Sequence, residues 1–167
     1  MNYWITTDTH FGHTKMIQAA GRPRDFEQRI LKNIAKMIQP DDILIHLGDI
    51  CIGDDVGWHA ELITACCAKR YLCLGNHDHR SISWYMKHEW DMVCNSFILH
   101  MYGKKIAFSH QPLEDSVLYD INFHGHHHNT LHHPEDKTSE KHQLLYIEHH
   151  YQPFNLKTLM TKKKTKP

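Results

Sequence analysis

No stretch of about 18 apolar residues occurs in the chain, which argues against a membrane-spanning helix. Neither sign of charge is in excess. Nineteen Lys and Arg balance 19 Asp and Glu, so electrostatics point to neither nucleic acid nor a membrane surface. Cysteine is sparse and unpatterned: Cys51, Cys66, Cys67, Cys73 and Cys94 include no CxxC spacing. Five is an odd number, and buried free thiols in a reducing compartment are expected. Met1-Asn2-Tyr3-Trp4 carries no basic segment ahead of an apolar core, so no signal peptide is read there. A cytoplasmic protein with no membrane partner is expected. Internal repeats and linker-like stretches are also missing. With 167 residues, one domain over 1–160 is expected, followed by a basic, disordered tail over 161–167.

What the sequence has in abundance is histidine, with 18 copies. Histidine is the commonest protein metal ligand and titrates near neutral pH. Some copies, such as His132, His133, His142 and His150, are expected simply to cover surface.

The apolar pattern of the first half alternates between two periods. Tyr3 to Thr7 is aromatic and β-branched and predicts a strand. Thr14 to Ala20 predicts a short helix stopped by Gly21. Asp25 and Gln28 resemble a capping box, and Phe26, Ile30, Ile34, Met37 and Ile38 then recur at helical spacing. Ile43 to Leu47 predicts the second strand, Val56 to Cys67 a second long helix, and Tyr71 to Leu74 the third strand. Such alternation marks a parallel sheet with crossover helices. The second half changes character. Ser81 to Lys87 predicts a short helix. Phe97 to Met101 and Ile106 to Phe108 flank Tyr102-Gly103-Lys104-Lys105 as a hairpin. Ile121 to Phe123 and Leu144 to Glu148 predict further strands, and Gln152 to Met160 is expected to pack back on the fold.

The polar residues that carry chemistry stand at the ends of the predicted strands. The clearest run is Leu74-Gly75-Asn76-His77-Asp78, an apolar strand stopped by glycine and followed by three polar groups. Gly, Asn and Asp are also ordinary turn formers, so this run alone is ambiguous. Four more strand ends repeat the pattern, delivering Asp8 and His10, Asp49, His110, and His126 and His128. Asp8 and His10 lie two apart, so on an extended segment they share a side; the same holds for His126 and His128. Mixed oxygen and imidazole donors suit divalent Mn, Fe, Ni or Zn, with Mn²⁺ favoured. Even without His77 and Asp78, the seven groups Asp8, His10, Asp49, Asn76, His110, His126 and His128 exceed the needs of one ion, so two metals with a carboxylate between them are expected.

The series Asp8-x-His10, Gly48-Asp49, Gly75-Asn76-His77-Asp78, His110 and Gly125-His126-x-His128 resembles the calcineurin-like metallophosphoesterase superfamily. All five blocks occur in order. The similarity is strongest to the small stand-alone phosphoesterases of bacteria and phages, many of which hydrolyse phosphodiesters. The resemblance implies an α/β fold: a four-layer α/β/β/α sandwich of two mixed β-sheets flanked by helices. It also implies roles. Asp8, His10 and His128 hold one metal, Asn76, His110 and His126 the other, and Asp49 bridges. His77 stays off the metals as proton donor or phosphate contact.

Three departures stand out. The superfamily's protein Ser/Thr phosphatases carry Gly-Asp-x-x-Asp-Arg-Gly, whereas this chain has Gly48-Asp49-Ile50-Cys51-Ile52-Gly53-Asp54. Arg22, Arg24, Arg70 or Arg80 could replace the missing arginine if folded near the metals. Ser109-His110 stands where many members have Gly-His. His13, His124 and His127 adjoin ligand positions. His13 and Arg80 are candidate substrate contacts; His124 and His127 either orient ligands or merely pack. The short gaps between blocks leave no room for a cap domain. The expected activity is hydrolysis of a small or nucleotide-derived phosphodiester by a metal-bridging hydroxide. A phosphomonoesterase is the alternative, and a non-catalytic scaffold on this fold is a third reading. The retromer subunit that resembles these enzymes lacks the third-block histidine that this chain keeps as His77.

Overall fold

The computed structural model describes residues 1–115, 118–129 and 138–161. Of the tail expected over 161–167, Thr161 is helical and 162–167 lie outside the described residues, as do His132 and His133. Strands β1 (Tyr3–Thr6), β2 (Ile43–His46), β3 (Lys69–Cys73) and β4 (Met92–Cys94) pair in parallel in that spatial order. The crossovers carry α1 (Met16–Ala19) and α2 (Phe26–Met37), then α3 (Asp55–Ala65), then α4 (Ile82–Lys87). A second sheet follows, ordered β5 (Ser96–Met101), β6 (Lys104–Ser109), β7 (Ile121–His124), β8 (His142–Leu144). Here β5 and β6 form the expected hairpin, while β6, β7 and β8 run parallel. The chain then returns: β9 (Phe154–Asn155) pairs antiparallel with β1, and α5 spans Leu156–Thr161. The architecture is two mixed sheets flanked by helices, as expected.

Each sheet hides one face against the other. Ile5, Ile43, Ile45, Leu47 and Cys73 meet Ile106, Phe108, Phe123, Leu145 and Leu156 between the sheets. In β5 only alternate residues, Phe97, Leu99 and Met101, face this core, as the two-residue period of a strand requires. The helices cover the outer face of the first sheet. Phe26, Ile30 and Ile34 form one stripe of α2 and are fully buried there, with Leu62 of α3 and Tyr85 of α4. Burying each such side chain contributes about 1.5–3 kcal/mol. Among the described residues no helix is long and apolar enough to cross a membrane.

Several local expectations need correction. Asp25 forms no side-chain cap; it pairs with Arg29 at 2.9 Å instead. Working caps are Asp54, which accepts from Gly57 N–H at 2.9 Å, Ser81, which accepts from Trp84 N–H at 3.2 Å, and Asn155, which accepts from Thr158 N–H at 3.1 Å. The segment Leu144 to Glu148 is not one strand, because β8 ends at Leu144 and a 3₁₀ turn spans Ile147–His149. His142 does not cover surface: it is buried at the start of β8. All five cysteines are free, but Cys67 is exposed rather than buried.

Candidate metal centre

The strands of both sheets end at one edge, and the loops beyond them converge. β1 leads to Asp8 and His10, β2 to Asp49, and β3 to Asn76 and His77. From the second sheet β6 leads to His110, and β7 to His126 and His128. The backbone there is not extended. Asp8, His10, Asp49, His126 and His128 all have positive φ, between 48° and 73°. This left-handed region is uncommon for residues with a Cβ, and such residues cluster at functional sites. Thus Asp8 and His10 share a side, but through two left-handed turns rather than a pleat.

Close approach of the loops makes this possible. Gly48, at φ +95°, lies so near Gly75 that a Cβ would come 2.5 Å from the Gly75 amide. At Gly125 a Cβ would collide with the side chains of Thr7 and Asp8. Asp78 fastens the same crossing. Its carboxylate accepts from the N–H of Gly75 and of Asp49, each at 2.8 Å, and of Ile50 at 3.1 Å. Burial pushes the Asp78 carboxyl up, and these amides pull it back. Asp78 is therefore engaged in holding loops.

Two clusters of ligand atoms result: Asp8, His10 and His128, and Asp49, His110 and His126. Within each, the atoms lie within 4.8 Å of one another. Asn76 joins the second, its Oδ1 lying 2.9 Å from His110 Nε2, which is 3.1 Å from His126 Nδ1. Asp49 Oδ2 stands between the clusters, 3.6 Å from His10 Nε2 and 3.4 Å from His110 Nε2. His77 sits at the mouth, with Nε2 4.0 Å from the same oxygen and its side chain 39% exposed. The His77 backbone N–H donates to Asp49 Oδ1 at 2.8 Å, fixing the loop. The rings of His10, His13 and His77 neighbour one another, with centroids 5.3–6.2 Å apart.

The donor set fits divalent cations on several counts. Both ring nitrogens of the buried His10 lack a hydrogen-bond partner. An unpaired buried polar group costs about 1–3 kcal/mol, which a cation would relieve. Two other imidazoles are held with one nitrogen turned inward. His110 Nδ1 lies 2.8 Å from Leu47 O and must donate to it, leaving Nε2 bare. His128 Nδ1 donates to Glu148 Oε1 at 3.0 Å and likewise frees Nε2. Such outer partners set the tautomer of metal-ligating histidines. Asp8 accepts from Thr7 Oγ1 and from His126 N–H.

Protonation follows burial. Desolvation drives His10 down to about 2 and His126 to about 4, so both rings are neutral near pH 7. Burial raises the Asp8 carboxyl, against the pull of His110 and His128. Burial would lower His128, but Glu148 and Asp8 carry it above its ordinary value.

Sequence reasoning missed the support beneath these groups. Arg22 is buried under the Asp8–His10 loop. It donates to Asp8 O and Thr9 O at 2.7 Å each, and to Glu148 Oε1 at 2.6 Å. Buried His46 accepts from Gly48 N–H at 3.1 Å and bonds Thr9 Oγ1 at 3.0 Å. The sequence offers Arg22 only as a free cation near the metals; the fold consumes it in structure. Arg80 is drawn away by Asp55 at 2.5 Å and lies over Trp84. His124 and His127 are buried behind the ligand loop.

The ends of two sheets gather Asp, Asn and His into two adjacent clusters that could hold metal ions. The chain belongs to the calcineurin-like phosphoesterase family, whose model matches residues 1–164. An uncharacterized protein of Methanocaldococcus jannaschii, MJ1445, is 27% identical over 135 residues, covering 75% of this chain and 68% of that protein. The crystal structure of AQ665 from Aquifex aeolicus, a protein of unknown function, has the same fold. Its TM-score is 0.74 at 24% identity, covering 95% of this chain and 97% of that one. An archaeal phosphodiesterase gives a TM-score of 0.51 at 18% identity, covering 87% and 82% of the two chains. The nuclease MPE of Pseudomonas putida gives 0.51 at 19%, covering 75% and 61%. The family carries a dinuclear divalent metal centre, and this chain has two His/Asp clusters that could hold metal ions.

Proposed function

We propose that this protein is a metal-dependent phosphodiesterase acting on a small or nucleotide-derived phosphodiester, with Mn²⁺ as the favoured metal. The observation that carries the reading is the placement of Asp49 Oδ2 between two ligand clusters, 3.6 Å from His10 and 3.4 Å from His110. Asp8, His10 and His128 would hold one ion, Asn76, His110 and His126 the other, with Asp49 shared. When bound, two divalent cations supply positive charge to the phosphoryl oxygens and make water more acidic.

The chain's own residues do the rest. His77, partly exposed at the mouth, stands free of both clusters and donates the proton that the departing alkoxide needs. A positioned acid of this kind is worth about 10²–10⁴ in rate. His13, beside His10 and His77, offers a contact to a phosphoryl oxygen. Arg80 takes no such role in this proposal, since Asp55 already holds it.

The diester preference rests on charge. A monoester carries almost two negative charges near neutral pH, and a diester carries one. The arginine of the protein phosphatase motif is missing, and three of the four candidate replacements are engaged elsewhere, while Arg24 is exposed. Arg22 is buried on Glu148, Arg80 pairs with Asp55, and Arg70 donates to Cys66 O and Glu89 O. The test compares kcat/KM for bis-p-nitrophenyl phosphate and p-nitrophenyl phosphate under one metal and pH. A diester advantage is expected. A monoester preference of about tenfold, some 1.4 kcal/mol of transition-state discrimination, would overturn it.

A further inference from the structure

On its Asn76–His110 side the centre opens into a cleft of about 480 Å³, well within the range of roughly 300–1,000 Å³ for small-molecule sites. One wall is the Leu74–Asn76 segment with Asn95 and Ser96. The other is the loop that follows His110, as far as Glu114.

That loop is held from beneath by four buried polar side chains. Asn122 accepts from Leu113 N–H at 2.9 Å and donates to Ser109 Oγ at 2.9 Å. The Ser109 hydroxyl donates in turn to Gln111 O at 2.6 Å. The Tyr119 hydroxyl donates to Glu114 O at 2.8 Å. His142 Nδ1 accepts from Ser139 N–H at 2.9 Å, so its Nε2 carries the proton that meets Leu113 O at 2.7 Å. None of the four belongs to the ligand clusters. Surface loops are ordinarily the mobile part of a fold. A loop fixed through three of its carbonyls, those of Gln111, Leu113 and Glu114, is a wall prepared before any ligand arrives.

Among the described residues the lining contains no Lys or Arg, and Glu114 is its one carboxylate. Asn95 and Gln111 contribute exposed carboxamides, and Ser96 a hydroxyl; Leu74, Pro112 and Leu113 supply apolar surface. Carboxamides match the donor and acceptor edges of nucleobases. A second phosphate would find no Lys or Arg among the described lining residues and would meet Glu114.

We propose that this cleft seats the organic ester group of the substrate, an uncharged nucleoside carried on a single phosphate, and disfavours polyanions such as oligonucleotides. The proposal rests on the phosphodiesterase reading above for the phosphate end only.

Two measurements test it. The first needs no turnover: thymidine is titrated into zinc-loaded protein, which is diamagnetic, and backbone amide shifts are followed by NMR. Saturable shifts at Asn95, Ser96, Gln111 and Leu113 are expected, and Leu113→Trp abolishes them. The second compares thymidine 5′-(p-nitrophenyl phosphate) with methyl p-nitrophenyl phosphate. The nucleoside ester is expected to be at least tenfold better in kcat/KM, and Leu113→Trp to remove that advantage while the methyl ester keeps its rate within twofold. A 3′-phosphate on the thymidine ester should lower kcat/KM, and Ser96→Lys should recover it. Shifts without any diester hydrolysis would sink the proposed activity and leave the cleft assignment standing. Hydrolysis with no nucleoside advantage and no amide shifts would overturn the cleft assignment alone.

Discussion

Glu148→Gln isolates the support beneath one half of the centre. Glu148 Oε1 accepts from Arg22 Nη2 at 2.6 Å, from Arg22 Nε at 3.1 Å and from His128 Nδ1 at 3.0 Å. The Arg22 and Glu148 side chains are 0% and 5% exposed. Glutamine keeps the shape but removes the charge, so the Arg22 guanidinium stays buried without a counter-ion. Removing one partner of a buried ion pair costs about 3–5 kcal/mol. Arg22 retains its bonds to Asp8 O and Thr9 O, so the lower end, about 3 kcal/mol, is expected. The second effect is on metal. A weaker acceptor at His128 Nδ1 loosens the ring that presents Nε2, and losing such a partner typically costs 10–100-fold in affinity. The weakening should fall on the Asp8–His10–His128 half and spare the half built on Asn76, His110 and His126. Urea unfolding of the metal-free protein measures the first effect, and competition titration with a chelator resolves the second. A stability loss below about 1 kcal/mol, within the range of an exposed ion pair, would refute the argument, as would equal weakening of both halves.

Asp49→Ala should disturb both metal sites, and reconstitution with excess Mn²⁺ followed by metal analysis should find fewer than two ions where the wild type holds two. His77→Ala should keep its metals and fold while losing about 10²–10⁴-fold in kcat; a wild-type rate, or loss of a metal, would rule His77 out as the proton donor. His110→Ala, by contrast, should lose metal. Burial lowers His46 to about 3, against 6.5 for the ordinary residue. The native state therefore binds no proton there while the unfolded chain does, so stability falls on acidification below pH 6.5 and levels off near 3. Between pH 7.5 and 5 this amounts to about 2 kcal/mol, and the ΔG–pH slope of His46→Gln should be shallower by that amount.

The residues that gather in the two clusters were legible because each follows an apolar run, and a strand that stops at glycine and polar residues announces its end. Asp8, Asp49, Asn76 and His110 needed nothing more than that. Arg22 and Glu148 were not legible, because their partnership spans 126 positions and neither sits in a distinctive local pattern. The left-handed backbone at five ligand positions was equally hidden. Asp and His at φ near 50° are set by loop crossings such as Gly48 on Gly75, which are tertiary facts. Strands β4 and β9, of three and two residues, are too short to show any period. The strand expected through Glu148 failed because Leu145 and Ile147 are apolar for the inter-sheet and helix-side cores respectively, not for one pleated face.

The convergence of both sheets on one edge also sets the order of events in folding. Asp8 and the amide of His126 touch although they stand 118 positions apart. Closing so long a loop is entropically slow compared with forming a helix or a hairpin. Neither cluster can exist in a chain that has formed only its first sheet, since each draws an imidazole from the second. If the clusters hold metal as proposed, high-affinity uptake would report that folding has finished. A ribosome-bound or prematurely terminated chain ending before His110 would carry Asp8, His10, Asp49 and Asn76 and still hold no complete cluster. Pulse-labelled metal incorporation should accordingly lag behind the appearance of secondary structure during refolding.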